Sequence, residues 1–306
     1  MRLKPIKILI TGGAGFIGSW LARACLQAGQ RVVVADNLAR GQRQQLPEKV
    51  TFYEVDICDL AALRQVVLRE RPDILSHHAA LVFVRESQCL PADYSKVNLD
   101  GTRNVLKAAR EAGVRKVIFA SSGGAVYGDP PSLPLRENAP RLPLSPYGET
   151  KMWAEDVLLA EGDGLEVVIL RYGNVYGPGQ DHSVVTRFAA ALRDGKHPMI
   201  FGNGSQSRDY VYITDVTRAN LLALQPGLAG IYNIGSAEGR SVHEVYQSVV
   251  ANMNNGISPV YLADNSYEVR HNVLDIRRAR SILDWAPEVG FEEGVRLTVQ
   301  HVLEAT

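Results

Sequence analysis

A phenol and an ammonium group lie four residues apart in this chain, at Tyr147 and Lys151. In a helix, this spacing places both side chains on one face. Free tyrosine titrates near pH ~10, so a nearby positive charge must lower its pKa before it acts as a base at neutral pH. The pair therefore fits removal of a proton from an alcohol, although ordinary amphipathic helices also contain this spacing.

A glycine-rich turn near the N-terminus predicts a binding site for a dinucleotide. Gly12, Gly15 and Gly18 follow a short apolar run and open a predicted helix. In this context the backbone cradles a pyrophosphate. Asp36 ends the next predicted strand, where a carboxylate bonds the ribose hydroxyls and repels a 2′-phosphate. The pattern predicts NAD, and with Tyr147 it indicates hydride transfer from an alcohol; two arginines in the 40–43 segment are the feature that favours NADP.

Further polar side chains lie at predicted strand ends. A serine hydroxyl after the fifth strand could bond the oxygen that Tyr147 deprotonates. Ser121 could equally end the strand, so we assign this role to Ser122. Asn98 could organise the backbone near the site or belong to a helix N-terminal turn. Asp56 could contact adenine or cap the following helix. The histidines at 77–78 are expected to pack and to bond backbone groups.

Composition excludes several other classes of protein. The 306 residues contain 33 Lys plus Arg and 33 Asp plus Glu, so no global charge favours nucleic acid or a membrane surface. No apolar run approaches the roughly 18 residues of a membrane span. The N-terminal segment does not read as a signal peptide. Cys25, Cys58 and Cys89 lack a paired spacing, so we expect reduced core residues in a cytoplasmic protein, and no metal site.

The elements that must position these residues alternate between short strands and helices. This order predicts an α/β fold with a doubly wound, parallel, Rossmann-type sheet, and a smaller mixed α/β lobe packed against it. The ligand is expected beyond the carboxyl ends of the strands. The predicted strands are 7–11, 31–36, 51–54, 74–78, 116–121, 166–171 and 230–235. The predicted helices are 17–28, 60–70, 97–112 and 147–161, and 172–181 is expected to be a loop.

Taken in order, these motifs resemble the extended short-chain dehydrogenase/reductases of the NAD-dependent epimerase/dehydratase family, which act on nucleotide sugars. The resemblance covers nearly the whole length. It rests on the runs at 11–18, 36–38, 78–80, 98–102, 121–128, 147–151, 171–178 and 208–212.

The resemblance implies an activity and a set of site residues. The expected reaction is NAD-dependent epimerisation at C4 of a nucleotide-diphosphate sugar, most simply UDP-glucose and UDP-galactose, through a 4-keto intermediate. Tyr147, Lys151 and Ser122 would be catalytic. With the first two of these, the expected cofactor-binding residues are Gly12, Gly15, Phe16, Ile17, Gly18, Asp36, Asn37, Asp56, Ile57, Ala79, Ala80 and Asn98. With Ser122 and Tyr147, the expected substrate-binding residues are Asn174, Ile200, Phe201, Arg208 and Arg270.

The resemblance also implies a domain division and an oligomeric state. Residues 1–172 with about 213–235 would form the NAD-binding domain. Residues 173–212 and 236–306 would form the nucleotide-sugar-binding lobe. A homodimer would pair the helices at 97–112 and 147–161 across a twofold axis.

Two departures from the family pattern bear on the substrate. The family's Arg-x-Gly-Glu/Asp stretch is replaced by the run at 265–268, and Arg270 is the candidate substitute for its phosphate-binding arginine. Val273 stands where the family controls room for an N-acetyl group, so acetamido sugars stay open. The alternative activities are a nucleotide-sugar reductase and a 4,6-dehydratase. Gly123, Gly124 and Ala125 lack the acid and base that a dehydratase needs.

Overall fold

The computed structural model describes residues 5–130, 132–253, 256–263 and 269–305. The run at 265–268 lies outside the described residues. The strands of the described chain are β1 (Lys7–Thr11), β2 (Arg31–Asp36), β3 (Thr51–Glu54), β4 (Ile74–His77), β5 (Lys116–Ser122), β6 (Glu166–Tyr172), β7 (Asn174–Tyr176), β8 (Met199–Phe201), β9 (Ser207–Tyr212), β10 (Gly230–Ile234), β11 (Gly239–Ser241) and β12 (Val260–Leu262).

Eleven α-helices are described. They are α1 (Phe16–Gln27), α2 (Leu60–Glu70), α3 (Val84–Cys89), α4 (Pro91–Tyr94), α5 (Gly101–Glu111), α6 (Pro146–Glu161), α7 (Val184–Arg193), α8 (Ile213–Ala223), α9 (Val242–Ala251), α10 (Arg277–Leu283) and α11 (Phe291–Glu304). A 3₁₀ turn at Arg43–Gln45 and a π-helical turn at Ser95–Asp100 complete the regular structure.

Seven strands form one parallel sheet in the order β3-β2-β1-β4-β5-β6-β10. The order reverses between β1 and β4, so a crevice opens beyond the carboxyl ends of these two strands. One apolar core lies on each face of the sheet: Ile8 and Ile10 contribute to the first, and Leu9 and Val33 to the second. This arrangement confirms the predicted doubly wound fold.

A smaller lobe adds a third apolar core. Its buried members come from β7 to β9 and from α7, α9 and α11, among them Phe188, Ile200 and Val299. The β11-β9-β7 sheet and the β12-β8 pair belong to this part of the chain. The lobe therefore mixes helices with short strands, as expected.

Local deviations from the predicted elements are few. The expected helix at 97–112 begins as the π-helical turn and becomes α-helical at Gly101. The expected loop at 172–181 contains the strand β7, because residues 174–176 pair with β9. Gly29 and Gly113 have φ of 77° and 70°, and each ends a helix in the left-handed conformation that glycine favours.

The cysteines correct the sequence prediction in part. Cys25 is buried, but Cys58 is half-buried and Cys89 is exposed, so only the first is a core residue; all three are free thiols. Trp285 is fully buried, whereas Trp153 is 41% exposed on α6. In the described part of the chain, no helix combines the length and apolar character needed to cross a membrane.

Candidate active site

The turn after β1 brings two backbone segments unusually close together. Gly12 has φ of 68°, and a Cβ placed on it would lie 2.4 Å from the backbone nitrogen of Ala79. A Cβ on Gly18 would lie 2.3 Å from the carbonyl oxygen of Gly12. Helix α1 then starts at Phe16, and its N-cap residue Gly15 offers no side-chain acceptor to the first N–H groups. The turn fits a pyrophosphate, since these N–H groups remain for an anion.

The acidic residue at the end of β2 is held by the same turn. Asp36 Oδ2 accepts a hydrogen bond from the Ala14 amide at 3.0 Å, and Oδ1 accepts one from the Leu38 amide at 2.8 Å. Burial raises the pKa of this carboxyl, while the two backbone bonds lower it. Asn37 Nδ2 donates to Asp56 Oδ2 at 3.1 Å, so the two polar side chains predicted near the adenosine end lie together.

The alternative role of Asp56 as a helix cap is wrong. Helix α2 is capped by Asp59, whose side chain accepts from the Ala62 amide. Asp56 instead accepts from the Cys58 amide at 2.7 Å. Beside it, the Ile57 side chain is buried against Gly101. This contact is so close that residue 101 has no room for a side chain larger than hydrogen.

Asn98 joins the end of β4 to helix α6. Its Oδ1 accepts from the Leu81 amide at 2.8 Å, and its Nδ2 donates to the Leu81 carbonyl at 3.0 Å and to Thr150 Oγ1 at 3.1 Å. The residue lies in the π-helical turn, a distortion found frequently at functional sites. Of the two roles considered from sequence, the amide therefore organises backbone beside Ala79 and Ala80.

Helix α6 presents the phenol to the end of β5. The Ser145 side chain caps the helix by accepting from the Gly148 amide, and Pro146 occupies its first turn. Tyr147 is 9% exposed, and the neighbouring Ser122 hydroxyl lowers the pKa of its phenol. Ser121 instead donates to Glu155, which favours Ser122 as the hydroxyl that faces a substrate.

The pKa of Tyr147 is raised above its ordinary value, contrary to the lowering expected of a base. Burial has the larger effect, and the hydrogen bond with Ser122 opposes it. The Lys151 ammonium donates to the carbonyl of Ala120 at 2.8 Å, and its nitrogen lies 4.6 Å from the centroid of the Phe119 ring. Lowering the pKa of the phenol thus requires further positive charge at this end of the sheet, which the oxidised nicotinamide ring of NAD carries.

Lys151 itself is only 3% exposed. Burial lowers the pKa of its ammonium from 10.5 to about 7, and the charge of Glu155 acts in the opposite direction. A buried charge is tolerated only with partners, and here the partners are a carbonyl, an aromatic face and a carboxylate. The ammonium is therefore close to balance between its two protonation states.

The two histidines at the end of β4 are buried near Lys151. Burial lowers the pKa of both imidazoles, to about 3 for His78, and the Lys151 charge adds to the effect. His77 contacts Thr11 Oγ1 at 2.7 Å and Thr102 Oγ1 at 3.0 Å, and His78 contacts a serine hydroxyl. Their bonds are thus to side chains, whereas the sequence reading expected backbone partners.

A cavity of about 520 Å³ extends from Tyr147 into the smaller lobe. It brings together six of the seven predicted substrate-binding residues, from β5, α6, β7, β8 and β9: Ser122, Tyr147, Asn174, Ile200, Phe201 and Arg208. Among the described residues that line it there is no aspartate or glutamate. Such a cavity suits an anionic ligand with one polar neutral end.

Of the two arginines predicted to bind substrate, Arg208 lines the cavity and Arg270 does not. Arg208 lines the cavity, and its Nη1 donates to the carbonyls of Ser207 and Arg270. The alternative surface pair with Asp209 is wrong, because that carboxylate is buried and accepts from the backbone of Ser236 and other residues. The lining of the cavity does not include Arg270, which contributes its carbonyl to the orientation of Arg208.

Two further arginines line the cavity, and the sequence reading missed both. The guanidinium carbon of Arg85 lies 3.6 Å from the ring centroid of Phe201, so α3 contacts the smaller lobe across the crevice. Arg187, on α7, lines the same cavity. Their positions carry no local motif. Only the tertiary fold brings them to one cavity.

Among the described residues, no group of three or more His, Cys, Asp or Glu side chains could hold a metal ion. The fold and the crevice define a Rossmann-type dinucleotide-binding enzyme. A sequence model of the NAD dependent epimerase/dehydratase family matches residues 8–235. The chain therefore belongs to this family, as predicted, and its cofactor is NAD.

Several individual proteins are similar over almost the whole chain. A putative UDP-glucose 4-epimerase of Methanocaldococcus jannaschii is 38% identical, with 95% of this chain and 97% of that protein covered. The solved structure of the Thermus thermophilus UDP-glucose 4-epimerase in complex with NAD has a TM-score of 0.95 at 39% identity, covering 98% of this chain and 100% of that chain. The Thermotoga maritima UDP-glucose 4-epimerase with UDP-glucose has a TM-score of 0.95 at 37% identity, covering 98% and 99%.

The burial of Lys151 predicts a measurable dependence of stability on pH. Because its pKa falls from 10.5 to about 7 on folding, the unfolded chain binds more protons between these values. Its burial therefore destabilises the protein fully below pH 7, and the penalty disappears as the pH rises towards 10.5. We expect Lys151→Met to raise the free energy of unfolding of the cofactor-free protein at pH 6. The gain should be about 1.4 kcal/mol for each unit by which folding lowers the pKa of Lys151.

The measurement is denaturant unfolding of both proteins from pH 6 to 10. Lys196→Met is the control, because the Lys196 side chain is 73% exposed. The control should change stability little at any pH. A Lys151→Met protein that is less stable than the parent at pH 6 would contradict the expectation.

Proposed function

We propose that this protein interconverts UDP-glucose and UDP-galactose by NAD-dependent epimerisation at C4. The observation that carries the proposal is that Ser122 and Tyr147 line the same wall of a cavity with arginines further along it. An alcohol bound at this hydroxyl pair has a base for its proton, and an attached diphosphate has cations for its charge. The similar Thermotoga maritima protein, solved with UDP-glucose, supports this choice of substrate.

Tyr147 takes the proton of the sugar 4-hydroxyl in this proposal. NAD, when bound, accepts the hydride from C4 and later returns it. Ser122 holds the substrate oxygen in line with the phenol, and the Lys151 ammonium stabilises the phenolate as it forms. Tyr147 gives the proton back when the ketone is reduced, so one residue serves as base and then as acid.

Inversion at C4 requires that hydride returns to the opposite face of the sugar. The hexose must therefore turn over while the nucleotide stays bound. We assign the anchor to Arg208 and Asn174, with Ile200 and Phe201 against the base. Arg85 and Arg187 add positive charge to the same cavity. Fixed arginines bind phosphate oxygens strongly, whereas the hydroxyls near Tyr147 make weaker neutral bonds, so one end stays fixed while the other is free to turn.

The reaction is tested with UDP-galactose and no added reductant. We expect UDP-glucose as the product, without net formation of NADH. Tyr147→Phe keeps the ring but removes the proton acceptor, so kcat should fall by a factor of about 10²–10⁴, with NAD still bound. Substrate exchange is followed by NMR and cofactor retention by fluorescence.

Other outcomes of this experiment separate the alternatives. Stoichiometric consumption of NADH with a keto sugar would indicate a reductase. Parallel incubation with UDP-GalNAc tests whether N-acetyl sugars are accepted. A Tyr147→Phe protein with parental kcat would exclude the phenol as the base.

Loss of the cation at position 208 should weaken binding more than chemistry. We expect Arg208→Met to raise KM for the UDP-sugar and the Kd of UDP by about 10-fold or more, because a charged hydrogen-bond partner of a phosphate is worth roughly 1.5–3 kcal/mol. Calorimetry with UDP and with uridine separates the phosphate from the base. Arg115→Met is the control, since Arg115 is exposed just before the amino end of β5, whereas the cavity lies at the carboxyl end of that strand. Equal losses for UDP and uridine would place Arg208 away from the diphosphate.

We further propose a homodimer in the cytoplasm. The free thiols support a reducing compartment, which is the ground for the cytoplasm.

The dimer is proposed from helix α6. This helix exposes Trp153 and Leu159 to solvent, and α5 packs beside it, so this face offers apolar area to a second copy. Trp153→Glu should shift the sedimentation coefficient from that of a dimer to that of a monomer; a parent protein that sediments as a monomer at micromolar concentration contradicts the proposal.

A further inference from the structure

Glu155 is a fully buried carboxylate on α6, one helical turn beyond Lys151. The guanidinium of Arg171 binds both of its oxygens, with Nε 2.9 Å from Oε1 and Nη2 2.5 Å from Oε2. Ser121 Oγ donates to Oε1, and Arg141 Nη1 donates to Oε2 at 3.3 Å. The carboxylate is thus held in one orientation by donors from three parts of the chain.

This cluster lies where the two elements of the proposed catalytic site meet. Ser121 and Arg171 are directly opposed in the register of β5 and β6. The residue after Ser121 is Ser122, which lines the cavity beside Tyr147 and lowers the pKa of its phenol. The bond from Ser121 to Glu155 therefore ties the end of β5 to the helix that carries the phenol.

We propose that Glu155 is a positioning residue: its carboxylate fixes α6 against the end of β5 and attracts the ammonium of Lys151, so that Tyr147 keeps both of its partners. The inference rests on the proposed function, because it assigns Glu155 to the same proton transfer. Glu155 does not reach the substrate cavity, so it acts through its neighbours.

The charges around Lys151 support this role. His77 and His78 face it from β4, and both are neutral at physiological pH because their pKa values are far below 7. Arg171 approaches from β6 but is bound by both oxygens of Glu155. Of the described residues, Glu155 is the group whose charge raises the pKa of Lys151 against the effect of burial.

The competing explanation is that the ion pair only stabilises the fold. A buried pair can be replaced by apolar residues of similar size with little loss of stability, whereas removal of one partner leaves a costly bare charge. Glu155→Gln should therefore lower Tm, and Glu155→Met/Arg171→Met should recover most of it. If Glu155 positions the site, the double variant regains its fold but keeps a kcat about tenfold or more below the parent.

The matched control is Asp156→Asn. Asp156 is the next residue on α6, it binds Arg141, and its side chain is 49% exposed. It should retain parental kcat and Tm. A double variant with the parental kcat and pH profile overturns the inference.

A second measurement does not depend on turnover or on recovery of the double variant. Unfolding free energies of the cofactor-free parent, Lys151→Met, Glu155→Gln and the Glu155→Gln/Lys151→Met combination are measured across pH 5–10. The difference caused by Lys151→Met declines as the pH rises through the folded pKa of the ammonium. Without the Glu155 charge, we expect this decline to begin roughly one pH unit lower.

The two failures can be told apart. Absence of epimerisation in the parent protein would refute the proposed function, and the titration of Lys151 would still be measurable. An active parent in which Glu155→Gln leaves that titration unmoved would refute the role of Glu155 alone.

Discussion

The ammonium of Lys151 lies inside the protein with almost no exposure to solvent, and the groups around it offset only part of the cost of burying its charge. The carbonyl of Ala120 and the ring face of Phe119 solvate it from β5. The neighbouring imidazoles remain neutral, because burial disfavours their charged form and the positive charge of Lys151 adds to the effect. A pKa of about 7 makes this ammonium sensitive to small changes in its surroundings, and a phenolate base depends on that charge.

The two walls of the crevice differ, because one consists mainly of backbone and the other mainly of side chains. On the cofactor side, contacts come from backbone: the turn at Gly12 approaches Ala79 so closely that no side chain fits between them. On the substrate side, contacts come from long side chains such as Arg85 and Arg208. A backbone wall admits a ligand only in close contact, whereas arginines on separate elements can bind a phosphate from several directions. This division matches a cofactor that stays bound and a substrate whose sugar must move.

The sequence predicted the parts of the structure that depend on local patterns. The strands of the large sheet were placed to within one residue, because short β-rich runs alternate with helical patterns along the chain. The π-helical turn was missed, since its periodicity over six residues resembles that of an α-helix. Arg85 and Arg187 could not be assigned, because only the tertiary fold brings them to one cavity. The effect of burial, which raises the pKa of Tyr147 in the chain without cofactor, was missed for a similar reason: spacing gives the neighbouring charge but not the burial.

The ion pair of Glu155 with Arg171 explains how a buried lysine can have an intermediate pKa. An unpaired carboxylate one turn away would bind the ammonium tightly and draw it away from Tyr147. An apolar residue there would leave desolvation unopposed, and the lysine would be neutral at physiological pH. A carboxylate paired with Arg171 has an effect between these two extremes, because the positive guanidinium offsets part of its negative potential at the ammonium. The pair thus leaves Lys151 enough negative potential to remain near balance between its two protonation states, rather than neutral.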